Sequence, residues 1–385
     1  MIPGSQSCCI LKFRRSVFDR RISVNSGTAS SASSLSAAPS EHQAEDAAGI
    51  PVKPLRVVAI GGGTGLSTLL RGLRRHVSYP DWDSETPSAI ADLAAVVTVT
   101  DDGGSSGRLR KDFNMLPPGD LRNCMVALSA ESDLLAGLFA YRFRAGNGLD
   151  GHNFGNLFLA ALTDITGDFA HAVQLASKIL ATRGRIYPAT VTNATLVARM
   201  DDGSEVRGET NITASRHRIA ELQLEPMDAA ALPETLDAIE RADLITVGPG
   251  SLYTSLITNL LVKGIPTALA QARGLRVFIC NLMTQANESL GLTASEHIER
   301  IYKHTRAPVF DYAIVNTAPF SPQTLARYAA EDASPIEADM ERIEALGVRC
   351  ITGDFASEGN VVRHAADRVT DALLALGHSA RPERA

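Results

Sequence analysis

The segment LRVVAI, starting at Leu55, runs straight into Gly61-Gly62-Gly63-Thr64-Gly65 and then into the helical pattern LSTLLRGLRR. A short β-branched run that ends on clustered glycines and passes at once into a helix is the opening of a βαβ unit. The run AAVVTV, from Ala94, supplies its second strand. Two strands joined through a helix must lie parallel, and the helices then cover the sheet faces. Four more apolar runs continue the alternation: ADLITVG from Ala242, GLRVFICN from Gly274, FDYAIVN from Phe310 and GVRCIT from Gly347. Helical patterns such as LPETLDAIERA and ASEHIERIYKH separate them. The runs lack polar alternation, as strands buried on both faces do. The chain is therefore expected to form an α/β fold with a doubly wound, mostly parallel sheet. One stretch departs from the rule. Between Thr190 and Ile212, TLVARM and EVRGETNI flank Asp201-Asp202-Gly203, the signature of a β-hairpin inserted in the parallel fold.

The remaining composition excludes more than it assigns. Lys+Arg 37 against Asp+Glu 43 gives a formal net charge of -6, so no global cationic field draws the chain to nucleic acid. Cys8, Cys9, Cys124, Cys280 and Cys350 are an odd set with no CxxC pair, which predicts neither a disulfide scaffold nor a zinc site and fits a reducing compartment. No apolar run reaches the length of a membrane span. Residues 1–53 hold a basic start and a Ser/Ala tract and read as a disordered tail, with an organelle transit peptide or a start codon placed too early as the alternatives. The globular part is expected over 54–378, followed by a short tail over 379–385.

The chemistry concentrates in loops at strand ends. At Gly61–Gly65 the backbone can approach a ligand without Cβ interference, and the helix start offers unsatisfied N–H groups at its positive dipole end. That is an anion cradle. The GK[ST] of a P-loop and the spacing of GxGxxG are both absent. GGGTG also has the form of the phosphate loop of tubulin-like GTPases, where it lies several strands into the fold. The second strand ends in Asp101-Asp102-Gly103-Gly104-Ser105-Ser106, expected to face the same crevice, since ligands of open parallel sheets bind beyond the strands' carboxyl ends. Its two carboxylates suit sugar hydroxyls, a divalent ion such as magnesium, or a base. Asp120, near a helix start in Pro117–Asn123, is either an N-cap or a ligand contact. Gly151-His152-Asn153-Phe154-Gly155-Asn156 opens another helix and offers a second anion or base contact. Gly248-Pro249-Gly250-Ser251 and Asn281-Leu282-Met283-Thr284-Gln285 follow two further strands. One crevice is thus expected to collect several polar loops.

Taken in order, GGGTGLSTLLRGL, TVTDDGGSSGRLR, PPGDLRN, GHNFGNLFL, GPGSLYTS and NLMTQ resemble the CofD-like family, in its gluconeogenesis-factor branch. The resemblance runs from about Leu55 to the helix near Leu376. It implies a Rossmann-like fold that binds a nucleotide across the strand ends. For this branch it implies a UDP-sugar such as UDP-N-acetylglucosamine as ligand, no required cofactor, and a cytoplasmic role in cell shape and wall-precursor supply during gluconeogenic growth. A cell-wall synthesis protein and a second copy of the chain are the partners it suggests. By the same resemblance Gly62, Gly63, Thr64 and Gly65 would hold the diphosphate, Asp101 and Asp102 would lie by the sugar or acceptor, and Gly248, Ser251 and Asn281 would line the remaining wall. Asn156, Thr284 and Arg363 complete the expected set. Three positions depart from the family pattern: Thr258 stands for Pro, Ala286-Asn287-Glu288 for Pro-Gly-Glu, and Ala365 for an acid. The alternative function is that of the CofD branch, a transferase moving a phospholactyl-type group from a guanylylated donor to a deazaflavin, with Asp101 or Asp102 on magnesium.

Overall fold

The structure, a computed structural model, describes residues 53–77, 88–130, 133–286 and 288–379. Apart from the boundary residues 53 and 379, the two expected tails lie outside it. Its strands in chain order are β1 Leu55–Gly61, β2 Ile90–Val97, β3 Arg185–Pro188, β4 Thr195–Met200, β5 Glu205–Arg207, β6 Ile219–Glu225, β7 Leu244–Val247, β8 Leu275–Ile279, β9 Tyr312–Asn316, β10 Arg349–Gly353, β11 Ala356–Ser357 and β12 Arg363–His364. Seven of them form one sheet in the order β10-β9-β8-β7-β1-β2-β3. Every neighbouring pair in it is parallel. All six strands read from apolar runs are in this sheet.

Period-two geometry sends alternate side chains of each strand to opposite faces, and both faces are filled. From β1, Val57 and Ala59 join a core with Leu66, Leu70 and Leu73 of the helix Gly63–Leu73 and with Leu373 of the C-terminal helix Ala366–Ser379. Val58 and Ile60 join a second core with Ile239, Leu256 and Ile298 on the other side. Two cores divided by one sheet are what double winding means physically.

The inserted element is larger than a hairpin. β4 pairs antiparallel with β5, as the Asp-Asp-Gly turn requires, and also with β6 on its other edge. Only Glu205–Arg207 of EVRGETNI is strand; Glu209–Ala214 is a helix. The break falls at Gly208, whose φ of 87° no β-branched residue adopts readily and where a Cβ would lie 2.4 Å from Asp102 Oδ2. Among the described residues, no helix is long and apolar enough to cross a membrane.

Strand order also fixes where a ligand can sit. From β1 the chain winds outward through β2 to β3, then returns to β7 on the opposite side of β1 and winds outward through β8 to β10. The reversal between β1 and β7 is the topological switch point, and the loops leaving these two strands must diverge and open a crevice there.

Candidate functional site

A cleft of about 530 Å³ occupies the switch point. Gly62, Gly63, Thr64 and Gly65 from the β1 loop form one wall, Pro249, Gly250 and Ser251 from the β7 loop the next, and Asn281 and Thr284 from the β8 loop a third. Arg363 enters from β12. Ten of the expected residues are therefore gathered in one concavity. Gly61 is the buried end of β1, and Gly248, just beyond β7, is likewise not part of the wall.

The β1 loop enters its helix directly, with Gly62 as N-cap and no acidic residue in the first turn. Four N–H groups at such a start lack helical acceptors. The Gly63 N–H is taken, because it donates to Asp120 Oδ2 at 2.8 Å. The N–H groups of Thr64 and Gly65 have no acceptor among the described residues, and both residues face the cleft at the positive end of the dipole. Asp120 is thus neither N-cap nor cleft wall: it braces the loop from behind. Burial pushes its carboxyl up to about 6 against the pull of the Gly63 N–H, and Asp101 adds to the rise.

The loop after β2 behaves differently from expectation. Asp101, Asp102, Gly103, Gly104, Ser105 and Ser106 do not line the cleft. A helix begins at Gly104 and turns the segment toward the inserted subdomain. Asp101 Oδ1 accepts from the Gly103 N–H at 2.9 Å. Asp102 Oδ1 accepts from the Thr210 N–H at 2.8 Å and from the Thr210 hydroxyl at 2.6 Å. Asp102 therefore caps the helix Glu209–Ala214 from a distant part of the chain. Replacing it by Ala is expected to cost about 1 kcal/mol, as loss of a side-chain cap does. Urea unfolding checks this, and an unchanged midpoint would remove the capping role.

Behind this loop, Ser105 Oγ receives the Asn153 N–H at 3.2 Å and the Asn156 amide at 3.3 Å. With both lone pairs used, its proton points to His152 Nδ1 at 3.2 Å, which places the ring proton on Nε2. Burial, with Arg108 next, holds His152 below the ordinary histidine range. Asn153 caps its own helix by accepting the Asn156 N–H. GHNFGN is thus a buried hydrogen-bonded joint, and neither His152 nor Asn156 reaches the cleft.

Sequence reasoning missed several parts of the wall. Ser255 lies one turn beyond Ser251 on a six-residue π-helix, Leu252–Ile257. Arg327 and Tyr328 come from the helix Pro322–Ala329, with the Arg327 guanidinium 5.5 Å from the Tyr328 ring centroid. His364, beside Arg363, sets its Nε2 3.0 Å from the Cys280 carbonyl, so that nitrogen carries the proton. Burial pulls this imidazole down to about 4, so it is neutral at physiological pH. Two arginines and two open N–H groups against Glu331 give the cleft a character that suits an anion.

The family model described as 2-phospho-L-lactate transferase CofD matches residues 57–356. The chain belongs to the CofD family. It is 46% identical over 322 residues to the putative gluconeogenesis factor of Nostoc sp., covering 83% of this chain and 68% of that one. Against the gluconeogenesis factor of Halalkalibacterium halodurans it is 46% identical over 324 residues, covering 84% and 97%. The gluconeogenesis factor of Bacillus subtilis is 42% identical over 322 residues, covering 83% and 98%. The crystal structure of a Bacillus halodurans protein superposes with a TM-score of 0.79 at 46% identity, covering 84% of this chain and all of that one. Two side chains outside the π-helix hold it. Thr258 donates its hydroxyl to the Tyr253 carbonyl at 2.9 Å, and Glu288 accepts from the Tyr253 N–H at 3.1 Å and the Thr254 hydroxyl at 2.8 Å.

Proposed function

We propose that this chain is a gluconeogenesis factor whose cleft binds the diphosphate of a UDP-sugar of the UDP-N-acetylglucosamine type. The observation that carries the reading is the pair of open N–H groups of Thr64 and Gly65 at a helix start, opposite Gly250 and Ser251 and flanked by Arg327 and Arg363. Backbone donors at a dipole end bind phosphate oxygens without a protein cation beside them, which is compatible with a chain of net charge -6. The similar proteins named gluconeogenesis factor support a role during gluconeogenic growth, and the proposal extends it to a cytoplasmic role in cell shape and wall-precursor supply, with a wall-synthesis protein as partner. The transferase alternative places Asp101 or Asp102 at the reacting group, and neither lines the cleft, so the binding reading is preferred.

Titration calorimetry with UDP-N-acetylglucosamine, UDP and GDP tests the proposal. The expected result is saturable binding of the UDP-sugar and of UDP, weakened about ten-fold or more by Arg363→Ala, in line with loss of a charge-assisted hydrogen bond. No saturation at millimolar UDP-sugar would overturn it.

A further inference from the structure

A second cavity, of about 110 Å³, is built against the same π-helix that contributes Ser255 to the main cleft. Its floor is apolar, from Ile219, Leu290 and Leu292. Its rim is cationic, with Arg216 and Arg218 at the entrance to β6 and Arg300 on the helix Ala294–Thr305.

The charges here are not balanced by neighbours. Both oxygens of Glu288, the one carboxylate in the wall, are committed to the π-helix through Tyr253 and Thr254. His217 lies between Asp201 and Asp202, each at 3.4 Å. The guanidinium groups of Arg216, Arg218 and Arg300 make no ion pair or hydrogen bond with any described residue. Some exposed arginines elsewhere find carboxylates, as Arg75 does with Asp367, Arg199 with Glu221, Arg241 with Asp237 and Arg342 with Glu299. The guanidinium groups of others, such as Arg71, Arg144 and Arg306, stand alone among the described residues. What sets Arg216, Arg218 and Arg300 apart is that they share one cavity. Three unpaired guanidinium groups around one small concavity repel each other unless an anion enters, and their planar donor forks match a phosphate's oxygens.

We propose that this cavity is a second anion site, separate from the main cleft, that takes the phosphate group of a small phosphorylated metabolite. The volume admits a phosphate with a short organic remainder, whereas the uracil, ribose and sugar of a UDP-sugar need a cleft the size of the first. The apolar floor would hold the remainder, and the guanidinium groups would fix the phosphate at the mouth. Because Tyr253 and Glu288 belong to the π-helix or hold it, an anion seated here would stiffen a wall of the main cleft.

The full-length protein is titrated with inorganic phosphate in the presence of saturating UDP, with chloride at equal ionic strength as the blank, and crystals are soaked in tungstate for anomalous density. Expected are one phosphate per chain, tungstate among the three guanidinium groups, and phosphate affinity lowered at least about ten-fold in Arg218→Ala/Arg300→Ala and in the milder Arg300→Gln. The variants should keep the wild-type melting temperature and UDP-sugar affinity, since none of the replaced residues lines the main cleft. Equal phosphate affinity in wild type and both variants, or tungstate confined to the main cleft, would overturn the site. If UDP fails to bind at all, the cleft reading falls, while the arginine dependence of phosphate binding still decides this one.

Discussion

Gly65→Ala is expected to abolish UDP-sugar binding and to lower stability, although it adds a single methyl group. A Cβ at Gly65 would lie 2.4 Å from the Pro249 carbonyl oxygen, 2.8 Å from the Pro249 carbonyl carbon and 3.1 Å from the Gly250 nitrogen. All three are backbone atoms, so no rotamer change relieves the contact. Either the β1 loop or the β7 loop must move, and these are two opposed walls of the cleft. Crowding of this kind costs roughly 1–3 kcal/mol of stability. The larger effect is on the ligand, because the shift misaims the open N–H groups of Thr64 and Gly65. Two charge-assisted hydrogen bonds are together worth about 3–6 kcal/mol, so affinity should fall by about 100-fold or more. Gly137→Ala is the control: nothing lies within 4 Å of its Cβ, and it sits in the helix Asp133–Ala140, where Ala is the better helix former. Calorimetry and thermal melting on both variants decide the matter. Wild-type affinity in Gly65→Ala would mean that the two loops are not the walls of the ligand site.

The same close approach explains what could and could not be read from residues alone. Strand, glycine loop and helix were legible at β1 because each is a local pattern of a few neighbours, and the crevice followed from the rule about carboxyl ends of parallel strands. β3 escaped notice because Arg185–Pro188 is four residues long and ends on a proline, which reads as a loop; it is tolerated at the sheet edge, where no partner needs that missing N–H. In GETNI the β-branched residues spoke for strand, yet the Gly208 turn and the remote cap from Asp102 make it a helix. The Asp-rich loop after β2 had the right composition for a ligand wall and the wrong direction. Nothing local marks the turn at Gly104 that commits it to Thr210, more than a hundred positions along the chain. Arg327 and His364 reach the cleft only because β9, β10 and β12 carry the C-terminal part of the chain back across it, and isolated surface residues carry no periodic signal.

The carboxylates behind the glycine loop make the second large prediction, which concerns pH. Burial, then Asp101, Asp120 and Glu288, push the Glu209 carboxyl up to about 9, while the Thr100 hydroxyl, donating to Oε2 at 3.3 Å, pulls weakly the other way. Asp120 is displaced upward in the same manner, to about 6. A carboxyl raised in the folded state holds its proton after the unfolded chain has released it, so the native state binds more protons between the two values and stability falls as pH rises. Asp120 accounts for the loss from about pH 4 to 6, and Glu209 for the loss that continues from about pH 4.5 to 9. Each proton carries up to about 1.4 kcal/mol per pH unit. Because Glu209 is only part-buried and water screens it, the wild type should lose roughly 2–4 kcal/mol between pH 6 and pH 9. Glu209→Gln keeps the shape of the neutral acid and removes the titration. Its stability should match wild type near pH 5 and exceed it at pH 9, with most of the decline above pH 6 abolished. Urea unfolding at pH 5, 7 and 9 measures this, and parallel profiles for the two proteins would show that Glu209 carries no raised titration. The consequence reaches the ligand as well: ionised Glu209 adds negative charge beside Asp101 and Asp120, and Asp120 holds the Gly63 N–H of the phosphate loop. UDP-sugar affinity in the wild type should therefore weaken between pH 7 and pH 9 by more than it does in Glu209→Gln, through the same proton that governs stability.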